Sequence, residues 1–154
     1  MAFSREPILG PAPSPAILSA QMAGIGMNLA THPDANAPIE STLVHASAQG
    51  MDHDDLRVVS VLTTWLGVHH RLVHADRLIR CVDEHPSLRV GAYWAAIAFW
   101  LRADRRLARL ASRIRPDEDL LAVGNAFQIA RRGEDERFAG SALRVPAGVL
   151  RQRP

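Results

Sequence analysis

The chain reads as mainly α: a core of three to four helices, a C-terminal β-hairpin after it and a disordered segment before it. Three observations predict this. From residue 52 onward, apolar residues recur at i, i+3, i+4 and i+7, the period of a helix with one buried face. Pro86 and Pro116 cut that pattern into helix-sized pieces. Gly124-Asn125 then joins two short β-prone runs, a hairpin signal. A length of 154 residues suits one domain with an appended segment.

Residues 1–50 are rich in Ala, Pro, Ser and Gly, are nearly uncharged and hold one aromatic, Phe3. Such a stretch buries too little apolar area to offset its ordering entropy, so it is expected to be disordered, with the folded domain spanning 51–154. Met27 and Met51 stand ahead of the helical pattern, and translation from Met51 is an alternative to Met1.

Asp52, Asp54 and Asp55 suit a helix N-terminus, where the macrodipole favours negative charge. Val58, Val61, Leu62, Trp65 and Leu66 follow at helical spacing, and Gly67 reads as the stop. Arg71-Leu72-Val73 breaks the period and reads as a very short strand. Asp76 is the expected cap of a second helix running to Glu84, with Leu78, Ile79 and Val82 inward and Pro86 ending it. Ser87 caps a third. Its first half, 89–101, is apolar nearly all round, which marks a central helix, and Gly91, Ala92, Ala95, Ala96 and Ala98 allow close approach. Beyond Leu101 the pattern turns amphipathic. Either one helix continues to about Arg115 or a turn near Ala103-Asp104 divides it. Residues 120–123 and 127–130 form the hairpin, and 145–149 an edge strand or extended arm. The order helix, extended piece, helix, helix, hairpin is that of a winged helix-turn-helix, which makes the predicted core winged-helix-like.

All 18 basic residues are Arg and none is Lys. With abundant Ala, Val and Leu, that reflects the codon bias of a GC-rich genome, so placement carries more than identity. Eleven arginines and four acids lie between Arg57 and Arg115, in a chain of net charge +2. Arg102, Arg105, Arg106, Arg109 and Arg113 share one side of a helix at about 100° per residue, with Ala103, Leu107, Leu110, Ala111 and Ile114 on the other. Such a row suits phosphate contact with duplex DNA, and Arg131 and Arg132 after the hairpin add to it. The arginines fall late in the third helix, where a winged helix meets the backbone rather than base edges. The same row also suits an acidic protein partner, or simply a solvated face.

The remaining chemistry is sparse. One cysteine, Cys81, excludes an intrachain disulfide and sits in an apolar stretch, as a small buried hydrophobe does. His69, His70, His74, Asp76, Cys81 and His85 lie close in sequence, and His70 and His74 have the i, i+4 spacing of zinc ligands on a helix. That stretch reads as extended, however, and no Glu sits between the two histidines as in a metalloprotease. Asp117-Glu118-Asp119 and Glu134-Asp135-Glu136 flank turns beside arginines, as solvated charges do. Trp65, Trp94 and Trp100 fall within apolar helical patterns and read as core. No nucleophile elbow or phosphate loop is present. The expectation is a protein without catalytic residues, metal or cofactor. The longest apolar run, 90–101, is short of the roughly 20 residues a bilayer needs. Pro11, Pro13 and Pro15 interrupt any export signal. A cytoplasmic location is expected.

Phe127-Gln128-Ile129-Ala130-Arg131-Arg132-Gly133-Glu134-Asp135-Glu136-Arg137-Phe138-Ala139-Gly140, with Leu143-Arg144-Val145-Pro146-Ala147-Gly148-Val149-Leu150 and the run 94–110, resembles small bacterial proteins encoded beside nucleotidyltransferase toxins of the abortive-infection (type IV) class. The resemblance spans about residues 52–154. It implies an antitoxin or regulator with a winged-helix DNA-binding part, duplex DNA as one partner and the toxin as another. Such proteins continue beyond the point where this chain reaches Pro154. No individual functional residue follows from the resemblance.

Overall fold

The computed structural model describes residues 5–111, built as six α-helices and two 3-10 turns with no strand among the described residues. The hairpin over 120–130, the arm over 145–149 and Arg113, Arg131 and Arg132 lie outside them. The mainly α class holds for the described part.

Helix α1 (Pro15–Gly24) starts at Ser14, whose hydroxyl accepts the Ile17 amide, with Pro15 in the first turn where its missing N–H costs nothing. Leu18 and Met22 point inward. Helix α2 (Ile39–Asp52) sends Leu43, Val44, Ala46 and Met51 into the core and packs against α1 and three later helices. These two helices overturn the expected disorder of 1–50. The segment buries its large apolar side chains Leu18, Met22, Met27, Leu43 and Val44. Its small side chains let later helices come close, and those supply the partners. A Cβ on Gly50 would stand 2.5 Å from Val59 Cγ2. A chain started at Met51 would lack nearly all of α2.

Helix α3 (Leu56–His69) is capped by Asp55, which accepts the Val58 amide at 3.2 Å. It runs through Gly67 rather than stopping there. The edge of Trp100 lies over that position, 2.9 Å from where a Cβ would be, so the glycine serves packing. The expected strand at 71–73 is instead a 3-10 turn (His70–Leu72). Helix α4 (Ala75–Glu84) begins one residue ahead of Asp76, with His74 Nδ1 accepting the Arg77 amide as its cap. Leu78, Ile79, Cys81 and Val82 are buried.

Ser87 caps α5 (Leu88–Trp100) through the Val90 amide, as its sequence predicts. Residues 92–98 are all buried, which makes α5 central and leaves that stretch no face for a DNA groove. Trp94 Nε1 donates to Ser47 on α2 at 2.9 Å. Thr63 gives its hydroxyl proton to the Val59 carbonyl, so the Tyr93 hydroxyl donates to Thr63, at 2.8 Å. These bonds fasten α5 to α2 and α3 through buried polar groups that are satisfied. The chain then turns at 101–104, makes a second 3-10 turn (Arg105–Leu107) and enters α6 (Ala108–Ala111), with Leu107 and Leu110 buried. Among the described residues no helix is long and apolar enough to cross a membrane.

Candidate interaction site

The turn at 101–104 decides what the arginine row becomes. It takes Arg102 off the end of α5 and puts Arg105, Arg106 and Arg109 on a new short helical path, so one continuous ridge does not form. Asp104 organises the turn. Its Oδ1 accepts the Arg106 amide at 3.2 Å and Nε at 2.9 Å. Its Oδ2 accepts Arg106 Nη2 at 2.7 Å and His70 Nδ1 at 2.8 Å. The Arg106 hydrogen bonds, with that of His70, hold the Asp104 carboxyl far below the usual carboxylate range against the opposing effect of burial.

Arg106 goes further. Its Nη1 donates to the Val73 carbonyl at 3.0 Å and its Nη2 to the His70 carbonyl at 3.2 Å. One guanidinium therefore bridges the two 3-10 turns, using its planar fork as a clamp. Arg109 pairs with Asp76 at the start of α4. Arg102 lies over the Phe99 ring, 5.4 Å from its centroid. Of the predicted arginines within the described residues, then, Arg106 and Arg109 are held by carboxylates. Arg102 and Arg105 have no carboxylate partner among the described residues.

The structure adds residues that the row did not include. His70, Arg71, Ala103, Asp104, Arg105 and Arg106 line a shallow cleft of about 510 Å³. Arg71 is exposed beside it and, among the described residues, has no carboxylate partner. On either side of Arg71 in the chain, Val68 is 70% and Leu72 64% exposed. The signal for these was present in the sequence: two aliphatic residues, Val68 and Leu72, in a stretch otherwise given over to His and Arg, outside the helical period. The signal for Asp104 was its place two residues before Arg106.

The histidines do not converge. His70 is turned to Asp104, His74 caps α4, and among the described residues no three His, Cys, Asp or Glu side chains gather as a metal ion requires. Burial, with Glu84 and Glu40 adding, pushes the Cys81 thiol up to about 11, which keeps it protonated and unreactive near neutrality. Comparison of the chain with protein-family models, curated proteins and solved structures finds no match.

Proposed function

We propose that the chain is a non-catalytic helical module that docks an acidic protein surface at the corner formed by the end of α3 and the 101–107 turns. The observation that carries this reading is the mixture at that corner: Arg71 and Arg105 at the rim of one cleft, with Leu72 beside Arg71 in the chain and Val68 three residues before it, both exposed. Aliphatic anchors interleaved with arginine are the composition of a protein interface, where Arg is enriched and apolar contact supplies the area. A surface built for phosphates alone has no use for two exposed aliphatic side chains. Carboxylates of the partner would seat against Arg71 and Arg105, while Arg106 keeps the corner in shape. The resemblance makes a nucleotidyltransferase toxin the first partner to test.

The test is affinity capture of the tagged full chain from its native cells. Arg71→Glu with Arg105→Glu is expected to release the captured protein, and Leu72→Ser to do the same, with the thermal transition unchanged. Retention of the complex by both variants removes this corner as the contact.

Phosphate contact with duplex DNA, the winged-helix reading, is the second possibility, supported by Arg71, Arg102 and Arg105 having no carboxylate partner among the described residues. Three neutralised phosphates predict a log–log salt slope of about −2.7. A slope of that size, with Leu72→Ser without effect, would favour DNA over protein.

A further inference from the structure

A second surface lies on α2 and α4, where three side chains grip the main chain of residues 6–9. Glu84 Oε2 accepts two successive amides, Ile8 at 2.9 Å and Leu9 at 2.8 Å. His45 Nε2 lies 3.2 Å from the Leu9 carbonyl. Arg80 donates to the Glu6 carbonyl and also pairs with Glu84. Four main-chain groups within four residues are thus read, while Pro7, which lacks a donor, is passed over. The Ile8 and Leu9 side chains pack against the core. Burial holds His45 below the usual imidazole range, and a carbonyl only accepts, so the neutral ring carries its proton on Nε2.

Two features separate this from an ordinary terminal anchor. Recognition of the main chain imposes little sequence, and it is how extended peptides are taken up by other proteins. The segment also does not fill its surroundings. A cleft of about 620 Å³ runs beside it, lined among others by Arg5, Arg77, Arg80 and Arg109 together with Asp76 and Asp83. Gly10, just past the gripped residues, has the left-handed φ of +71° and nothing within 4 Å of where a Cβ would be.

We propose that the face of α2 and α4 carrying His45, Arg80 and Glu84 is a peptide-binding site, and that residues 6–9 are a cover lying in it. Its occupant is an extended segment of a partner protein, with an acidic residue followed within three positions by two aliphatic ones. Glu6-Pro7-Ile8-Leu9 is the resident example of that pattern. The aliphatic pair takes the places of Ile8 and Leu9, and the acidic residue faces the cleft, where four arginines outnumber Asp76 and Asp83. This site is separate from the α3 corner and does not depend on it.

The experiment uses the full chain carrying Ile8→Asp and Leu9→Asp, which displaces the cover and leaves the groove intact. The probe is a fluorescent peptide with the sequence of residues 4–13. Binding is expected, and wild-type chain should bind at least ~10-fold more weakly, because a tethered cover competes at an effective concentration near millimolar. Adding Glu84→Gln should cost about 10-fold, as loss of a hydrogen-bonded charge does. A helical, cooperatively melting variant that fails to bind the peptide overturns the proposal. So does a variant chain that binds the peptide of residues 4–13 and no other acidic-aliphatic peptide. If the variant does not fold, hydrogen exchange of the wild type decides. The Ile8 and Leu9 amides are expected to exchange by local opening, well ahead of Leu62 and Ile97. Exchange at the rate of those core amides makes residues 6–9 a fixed part of the fold and ends the idea.

Discussion

Trp94 carries one polar hydrogen into the centre of the molecule, and Ser47 takes it at 2.9 Å. An indole N–H has no second use, so Ser47→Ala leaves a buried donor unsatisfied and is expected to cost roughly 1–3 kcal/mol. Tyr93→Phe is gentler, because Thr63 keeps its bond to the Val59 carbonyl and loses only an incoming proton. Its cost is expected near 1 kcal/mol. Urea unfolding of the two variants checks the order, and a larger loss for Tyr93→Phe would contradict it. His45 and His85 supply a second test at this scale. Burial lowers the proton affinity of both, with His85 further lowering that of His45, and Asp52 partly opposing the effect at His85. The unfolded chain therefore binds protons first, near the ordinary histidine value of about 6.5. The stabilisation is complete above that pH and declines as pH falls below it. Thermal unfolding is expected at a lower temperature at pH 5.5 than at pH 7.5, and an unchanged midpoint would refute this.

At the level of helices, local chemistry was legible wherever a side chain acts on its own backbone. Asp55 and Ser87 cap the helices their positions suggest, and Pro86 follows the end of α4. Ser87→Ala is expected to cost about 1 kcal/mol as a lost cap. Its hydroxyl also reaches Asp52 at 2.6 Å, so the loss should run above that of Ser14→Ala on exposed α1. Helices α1 and α2 were not legible. Thr42, Ala46, Ser47 and Gly50 look like low-complexity polar chain until the faces of α3 and α5 are set against them. Gly50 measures that closeness. Gly50→Ala meets the Val59 side chain at 2.5 Å and its amide at 3.3 Å, and is expected to destabilise by about 1–3 kcal/mol. A denaturation midpoint unchanged from wild type would show that α2 and α3 yield more readily than their packing implies. Gly67 taught the opposite lesson, since a glycine after an apolar run looked like an end and was a seat for Trp100.

Across the whole molecule, the charge reading was legible in amount but not in direction. Sequence places arginines on one side of a helix. It leaves open whether that helix continues or is divided by a turn near Ala103-Asp104, where α5 has already ended at Trp100, and it does not reveal that Asp104 and Asp76 claim two of the arginines. Arg106→Ala should accordingly lower the melting temperature and loosen both 3-10 turns, while Arg105→Ala leaves stability as it is. Equal effects would mean that Arg106 is not a clamp. The surface that remains, at the α3 corner, owes its apolar part to Val68 and Leu72.

The position of α2 has a consequence for synthesis. It needs α5 to complete its burial, and the chain between their facing residues Ser47 and Trp94 is 47 positions long. While a ribosome is still adding that stretch, the first half of the molecule has emerged without its lid, and Leu43, Val44 and Met51 face water. Nascent chains halted before residue 88 should therefore recruit holding chaperones, and those released past residue 111 should not.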